Sequence, residues 1–415
     1  MSTRMRPDYD VVVVGAGMAG ATLACALADI GQRTAVIENS LPQSPAAADP
    51  PAARVATLSA ASRHILQNLG LWQGLLVERA AAVARMDVWD GARDGGQRIV
   101  FEAAEIGQPA LAHVIENELL RATALARLEK SGGAELLAPA RLTQIERGTD
   151  GMMRLTMEDG HSCTTGLVVG ADGPASPVRR LAGIGSHGRA YDRRGVVATV
   201  YSDVSPSGTA WQRFLTDGPV ALLPVHDGGY SLVWSTTPAH AERLATLPDV
   251  DFCCELETAL EGAAGRICHT GPRQSFPLHF RRADCCVSPG VALVGDAAHV
   301  VHPLAGQGAN LGLLDVAALV AAIESGAGRG DQPGELPVLE AYARARESHN
   351  LLTGLTMDGF HRLFGNQNPA VQWLRGQGLA LADRAWPLKH HLMAQAMGLQ
   401  GEPPPLARMA ADSEY

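Results

Sequence analysis

The first residues whose types and spacing indicate chemistry form a glycine-rich turn near the N-terminus. The run is Gly15-Ala-Gly17-Met-Ala-Gly20, between a β-branched stretch and an Ala/Leu-rich stretch, and Glu38 follows 18 residues after Gly20. Gly15 permits a tight turn, Gly17 lets the backbone approach a pyrophosphate, and Gly20 lets helix and strand pack closely. The helix N-terminus attracts the anion, and Glu38 can accept hydrogen bonds from a ribose. The motif predicts a dinucleotide site and leaves NAD and FAD as alternatives.

A second chemical motif lies far along the chain. A strand-like run ends in the pair Gly295-Asp296, with Asp296 standing 276 residues beyond Gly20. This acid can reach the same long cofactor if the chain returns to the first sheet, as the ribityl chain of a flavin nucleotide would require. The turn Gly306-Gln307-Gly308, before the helical stretch after Asn310, would put backbone N–H groups near the flavin pyrimidine ring, where negative charge gathers on reduction. The two motifs together favour FAD.

Composition excludes several classes of protein. The chain has 415 residues, 46% of them hydrophobic, and a formal net charge of −9. It can bury a large core, in one big or two interleaved domains, and it has no basic excess for binding nucleic acid. Seven cysteines without a C-x-x-C pair predict reduced thiols in a cytosolic protein and no metal site. No apolar run approaches the roughly 18 residues of a membrane span, so a soluble or peripheral protein is expected.

The elements that must position these motifs form a βαβ opening. The patterns predict a strand over 10–14, a helix over 19–30 and a second strand over 33–37. Residues 195–236 alternate in short β-like runs and predict a sheet-rich insertion, whereas helical patterning dominates 339–399. An α/β fold follows.

Several motifs carry a resemblance to a known family. The stretch from His302 to Asp315 resembles the signature of the ubiquinone-biosynthesis FAD-dependent hydroxylases, which are class A flavoprotein aromatic monooxygenases, and the similarity covers essentially the whole chain. The pair Asp172-Gly173 resembles the fingerprint associated with both FAD and pyridine nucleotide binding. Arg54 resembles an arginine on the adenosine or pyrophosphate side of FAD, and Asn117 occupies the slot of a polar cofactor contact. For Arg54 and Asn117, a surface or capping role is the alternative.

The resemblance implies the cofactor-binding residues and the domain plan. The cofactor-binding candidates are Gly15, Gly17, Gly20, Glu38, Arg54, Asn117, Asp172, Gly173, Gly295, Asp296, Pro303, Gly306, Gln307, Gly308 and Asn310. The implied fold is like that of p-hydroxybenzoate hydroxylase, in which a Rossmann-like FAD-binding domain with a glutathione-reductase-type βαβ unit is interleaved with a β-sheet substrate domain and followed by C-terminal helices. The predicted segments are 1–75, 100–183 and 283–335 for FAD, 76–99 and 184–282 for the substrate sheet, and 336–415 for the C-terminal helices.

The resemblance also implies the reaction. The enzyme would hydroxylate the aromatic ring of a polyprenyl phenol or quinol intermediate of ubiquinone biosynthesis, using O2 through a flavin C4a-hydroperoxide and NADPH or NADH as electron donor. The protein would hold the ring near the flavin and exclude water. Two other functions stay open: FAD-dependent hydroxylation of a soluble aromatic or polyketide, and a structural FAD-binding subunit of a quinone-biosynthesis complex.

No side chain identifies itself as the base for the phenol. The candidates are His226, Tyr230 and His302, and a structural role is the alternative for each. The candidate walls of an apolar pocket are Pro224, Trp211, Phe214 and Trp234, with core packing as the alternative.

A bilayer-borne substrate would require access from the membrane surface. Near the C-terminus, apolar residues recur close to helical spacing with Lys389 among the polar residues between them: Leu388, Leu392, Ala396 and Leu399. The pattern fits either a helix on the membrane surface or one that packs onto its own domain. The expected partners are a membrane surface, a quinone-biosynthesis complex and a second copy of the chain, with a cytoplasmic location peripheral to the inner membrane.

Overall fold

A computed structural model describes residues 6–43, 45–46, 48–90, 98–300, 307–347, 389, 393, 397–398 and 402–409. The strands, numbered in chain order, are β1 (Tyr9–Val14), β2 (Thr34–Ile37), β3 (Val55–Leu58), β4 (Ala81–Val83), β5 (Arg85–Asp90), β6 (Arg98–Glu102), β7 (Ala112–Glu116), β8 (Ala134–Leu137), β9 (Leu142–Arg147), β10 (Met153–Met157), β11 (Ser162–Gly170), β12 (Ser186–Ser202), β13 (Thr209–Leu215), β14 (Gly218–Pro224), β15 (Tyr230–Thr236), β16 (Ile267–Thr270), β17 (Gln274–Ala283), β18 (Val287–Ser288), β19 (Val291–Leu293) and β20 (His299–Val300).

The α-helices are α1 (Met18–Asp29), α2 (Ala60–Asn68), α3 (Leu75–Glu78), α4 (Asn117–Ser131), α5 (Pro177–Leu181), α6 (Pro238–Thr246), α7 (Asp249–Ala259) and α8 (Gln307–Ala327). Residues 336–347 are also helical. Short 3-10 turns cover Ala103–Ile106, Gly295–Ala297 and Pro405–Ala407.

The first large sheet, here called the cofactor sheet, has the order β18-β19-β11-β1-β2-β8, with β10 and β9 continuing beyond β11. Strand β1 pairs in parallel with β2 and β11, and β11 pairs in parallel with β19. Val11, Val12 and Val13 are fully buried, because a parallel sheet is covered on both faces. The predicted opening is confirmed: α1 and β2 lie within about a residue of the predicted bounds.

The second large sheet, here called the substrate sheet, has the order β20-β17-β12-β15-β14-β13-β5-β6, with β16 also paired to β12. One face packs on α6 and α7 through a core that includes Val196, Leu232 and Trp234. The other face is partly covered by the loop between β2 and β3, since Thr199 Oγ1 donates to the carbonyl of Pro51 at 3.1 Å. The predicted α/β fold is therefore confirmed, with a mainly parallel sheet and a mainly antiparallel one.

A small sheet, β3-β7-β4, packs between the two large ones. Val83 and Val114 from it pack against Ala210 and Val225 of the substrate-sheet region. The domain bounds given above stay a prediction.

Helix α8 is the central helix of the cofactor-sheet core. Its stretch Gly308–Ala327 has the length and composition of a membrane span, but 72% of that apolar window is buried inside the protein. It packs against α1, α2 and β3, and these contacts account for its apolar composition.

Candidate FAD cleft

The glycine-rich turn after β1 has the geometry that a pyrophosphate requires. Gly15 has φ of +98°, and a Cβ there would lie 2.5 Å from the carbonyl oxygen of Ala171. A Cβ at Gly20 would lie 1.9 Å from the carbonyl oxygen of Gly15, so α1 packs directly on the turn. At Gly17 a Cβ would meet nothing within 4 Å. The turn therefore leaves space above Gly17 while its other two glycines are needed by the fold.

A cleft of about 900 Å³ opens at the carboxyl ends of the parallel strands. Distant chain segments meet there because β1, β2, β11 and β19 all end at this edge of the sheet, the usual ligand site of such folds. The structure brings nine of the predicted residues together in the lining: Gly15, Gly17, Glu38, Asn117, Asp172, Gly173, Gly295, Asp296 and Gly308.

Glu38 is oriented by the turn that it faces. Its Oε2 accepts from the backbone N–H of Ala16 at 2.6 Å, and its Oε1 accepts from Ser40 at 3.0 Å. Arg121 contacts both Glu38 and the turn: its Nη2 lies 3.5 Å from the Glu38 carboxylate, and its Nε donates to the carbonyl of Ala16 at 2.7 Å. The sequence analysis missed Arg121. Its signal was its position four residues after Asn117 in α4, which puts both side chains on one helix face.

Two buried acceptors in the cleft lack a partner among the described residues. Asp172 Oδ2 accepts from the backbone of Val178 at 2.8 Å, but Oδ1 has no hydrogen bond. Burial raises the pKa of Asp172, although hydrogen bonds from Ser176 and Val178 oppose the shift. Asn117 Oδ1 is likewise buried and unpaired. Such atoms require donors, and the hydroxyl and amino groups of FAD are donors of the required kind. The cleft therefore fits FAD.

Asp296 and Arg54 lie at the other end of the cleft. The Asp296 side chain is exposed to the cleft, and desolvation by the surrounding protein raises its pKa against the attraction of His299 and Arg54. The guanidinium of Arg54 stacks over the ring of Phe276, 5.4 Å from its centroid. Arg54 thus stands between the substrate sheet and the Asp296 turn.

The remaining cofactor candidates lie behind the cleft or outside the described residues. Asn310 Oδ1 accepts from the backbone of Ser59 and from Ser62 Oγ, and its Nδ2 donates to the carbonyl of Thr57 at 2.8 Å, which ties α8 to α2. The candidates outside the described residues are His302, Pro303, Gly306 and the side chain of Gln307.

The substrate-sheet candidates divide between the two faces. Tyr230 is 1% exposed and packs in the core on the α6–α7 side, directly opposite Pro224. Trp211 and Trp234 pack on that same side, so of the two alternatives given for them it is core packing that the structure shows. Strand alternation puts Phe214 on the opposite side, with Val88 and Ile99.

His226 lies in the turn after β14 and is half-buried. Burial, followed by the charge of Arg79, lowers its pKa, while Glu116 acts in the opposite direction. Arg79 and Glu116 form a buried ion pair at 2.6 Å.

Only part of the C-terminal amphipathic pattern lies within the described residues. Lys389 is buried and pairs with Glu105 at 2.9 Å, and Met393 and Met397 are also buried. The side that carries Lys389 therefore packs onto the protein. Leu388, Leu392, Ala396 and Leu399 lie outside the described residues.

Within the described part of the chain, no group of three His, Cys, Asp or Glu side chains is placed to hold a metal ion. The seven cysteines are free thiols.

The mainly parallel sheet, the cleft at its strand ends and the second, mainly antiparallel sheet are features of the flavoprotein monooxygenase class. The chain belongs to the family described as "FAD binding domain", whose sequence model matches residues 8–350. It is 35% identical to "3-demethoxyubiquinol 3-hydroxylase" of Escherichia coli K12, over 94% of this chain and 98% of that protein. It is 38% identical to "Ubiquinone hydroxylase UbiL" of Rhodospirillum rubrum, over 96% and 92%. The resemblance to the ubiquinone-biosynthesis hydroxylases is confirmed, and the chain is an FAD-dependent monooxygenase.

Solved structures show the same fold at low sequence identity. The p-nitrophenol 4-monooxygenase PnpA of Pseudomonas putida DLL-E4 matches with a TM-score of 0.76 and 20% identity, over 96% of this chain and 99% of that one. Klebsiella pneumoniae HpxO, complexed with FAD and uric acid, matches with a TM-score of 0.72 and 18% identity, over 98% and 100%.

Proposed function

We propose that this enzyme hydroxylates the aromatic ring of a polyprenyl phenol or quinol intermediate of ubiquinone biosynthesis, with O2 as co-substrate and NADPH or NADH as electron donor. The observation that carries the proposal is the face of the substrate sheet opposite α6 and α7, whose two central rows of side chains carry no charge. The likeness to the hydroxylases of Escherichia coli and Rhodospirillum rubrum along almost the whole chain supports the same conclusion.

This face is defined by strand register. Val197 pairs with Val233, which pairs with Ala221, which pairs with Gln212. The next row in the same direction is Thr199, Ser231 and Leu223. Neither row carries a charge, and Val233, Ala221 and Leu223 are only half-buried. A neutral ring with an apolar tail gains free energy on this surface, whereas a carboxylate or ammonium group would lose its hydration without a partner.

Bound FAD, once reduced, supplies the oxygen-activating chemistry. The chain positions it: the turn at Gly17 would hold the pyrophosphate, and Glu38 would hold the ribose. Asp172 and Asn117 offer unpaired acceptors, and Asp296 faces the cleft at the substrate-sheet end. The two sheets exclude water from the ring between them.

We take His226 as the candidate base; it lies in the turn after β14, near the buried ion pair of Arg79 and Glu116. Its lowered pKa keeps the imidazole neutral near pH 7, so that it can accept the proton of a phenol. Delivery of a bilayer-borne substrate further implies transient contact with the membrane surface.

The test is profiling of quinone-pathway intermediates by mass spectrometry in a strain that lacks the gene, with complementation by the wild-type gene and by an Asp296→Ala variant. Accumulation of one under-hydroxylated polyprenyl phenol, rescued by the wild type and not by the variant, is expected. Unchanged quinone with a yellow purified protein would point to a soluble aromatic substrate. Full rescue by a flavin-free Asp296→Ala protein would make the chain a structural subunit.

A further inference from the structure

A buried charged cluster lies directly behind the cofactor turn. Asp315 of α8 is completely buried, and its Oδ2 accepts from the backbone N–H of Gly295 at 3.0 Å and from His299 Nε2 at 2.6 Å. Its Oδ1 accepts from Arg346 Nε at 2.7 Å. One carboxylate therefore joins the turn after β19, strand β20, helix α8 and the helix over 336–347.

The surroundings of this cluster make it rigid. His299 and Arg346 are 7% and 3% exposed, so water cannot replace their contacts with Asp315. Burial by itself would raise the pKa of Asp315, but the charges of His299 and Arg346 lower it overall and keep the carboxylate ionised. A buried carboxylate with several strong donors has one favourable position, because any displacement leaves a charge unpaired.

The cluster is one residue away from a group that faces FAD. Gly295 begins the three-residue 3-10 turn Gly295–Ala297, and Asp296 in that turn lines the cleft. Gly295 has φ of +58°, and a Cβ on Gly312 would lie 3.3 Å from Gly295 Cα, so α8 packs closely on the turn. The hydrogen bond from Gly295 to Asp315 is thus a direct restraint on the direction in which Asp296 points.

We propose that Asp315 is a positioning residue for the cofactor: by holding the backbone of Gly295 and the imidazole of His299, it fixes the turn that presents Asp296 to FAD. Asp315 itself is not among the described residues that line the cleft. Its role is therefore in the affinity and environment of the flavin, and FAD binding can be measured without any ring substrate, so the outcome is independent of the substrate proposed above.

The test is an FAD titration of apoprotein carrying Asp315→Asn, followed by flavin fluorescence and visible absorption. The amide keeps the shape but loses the charge, so the turn relaxes. We expect the Kd for FAD to rise by about tenfold or more, as is usual when a supporting contact around a bound group is lost, and the visible bands of the bound flavin to shift.

Asp87→Asn is the matched control. Asp87 is also a buried aspartate between two cations, with Arg98 at 2.7 Å and Arg85 at 3.4 Å, but it lies on β5 of the substrate sheet. We expect this variant to lower the melting temperature while leaving the Kd for FAD within about twofold. Equal increases in Kd for the two variants would overturn the proposal.

If Asp315→Asn does not yield folded apoprotein, His299→Leu tests the same point. This variant removes the Nε2 contact but retains the ion pair between Asp315 and Arg346. A weakened and spectrally shifted FAD complex supports the proposal, whereas an unchanged Kd and spectrum refute it.

Discussion

The two large sheets differ in how far their binding surfaces can be recognised from the sequence. The cleft of the cofactor sheet is shaped by its backbone, whereas the surface of the substrate sheet is formed by side chains. In the cofactor sheet the cleft is built from glycines and acids at strand ends, such as Gly15, Gly17 and Asp172. These residue types form short motifs that can be recognised in the sequence. In the substrate sheet, adjacent apolar residues lie on opposite faces: Trp234 packs on α6 and α7, and Val233 lies on the other face. Local motifs predict the first kind of site, and only strand register predicts the second.

The largest effect is expected at a glycine that the fold itself requires. Gly20→Ala would place a Cβ 1.9 Å from the carbonyl oxygen of Gly15, and backbone atoms cannot move aside as a flexible side chain can. We expect a loss of about 3 kcal/mol or more in the free energy of unfolding, with no FAD bound. Chemical denaturation of the apoprotein checks this, and a stability within about 1 kcal/mol of wild type would contradict the packing described here.

Gly17→Ala sharpens the comparison within the same turn. Its φ is −67°, which any residue adopts, and its Cβ would enter open space in the cleft. We expect the apoprotein to keep its stability within about 1 kcal/mol, but the Kd for FAD to rise roughly 100-fold, because the methyl group occupies the approach of the pyrophosphate. Titration calorimetry with FAD measures the Kd, and chemical denaturation of the apoprotein measures the stability. If Gly17→Ala retains the wild-type affinity for FAD, the pyrophosphate does not bind at this turn.

The two faces of the substrate sheet can be separated by a pair of variants. Val233→Phe adds a ring to the half-buried face opposite α6 and α7, the proposed substrate surface. We expect it to raise KM for a short-tail phenol substrate by about tenfold, equivalent to about 1.4 kcal/mol. Tyr230→Phe, on the α6–α7 side, should leave KM within about twofold. A larger effect of Tyr230→Phe than of Val233→Phe would reverse the assignment of the faces.

The smallest expected effect is a pH dependence in the small sheet between them. Burial, followed by the charge of Arg63, lowers the pKa of His113 from 6.5 to about 4. Since the unfolded chain binds this proton more tightly, the stabilisation is complete above pH 6.5 and is lost as the pH falls toward 4. We expect His113→Phe to reduce the loss of stability between pH 6.5 and 5.5 by about 1 kcal/mol. If the melting temperatures of the wild type and of His113→Phe fall equally with falling pH, His113 does not contribute.

How much of the fold and of the candidate site can be predicted from the sequence depends on whether the residues involved are close together in the chain. The βαβ opening and the residues at its strand ends were accessible because their spacing is local. The cluster around Asp315 was not, because its partners, which include His299 and Arg346, come from separate elements. Arg121 had a local signal in its spacing from Asn117, but its contact with Ala16 joins residues 105 positions apart. The burial of Lys389 was missed for a related reason, since its partner, Glu105, is 284 residues away.

The strand order of the cofactor sheet has a consequence for the synthesis of the protein. Strand β1 pairs with β11, which begins at Ser162, and β11 pairs with β19, which ends at Leu293. A chain emerging from the ribosome therefore carries its glycine-rich turn for most of translation without the strand ends that complete the cleft. Nascent β1 and β2 must remain protected from misassociation through that interval. The complete row of strand ends exists only after Leu293 has been synthesised, so we expect FAD to bind late rather than to nucleate folding.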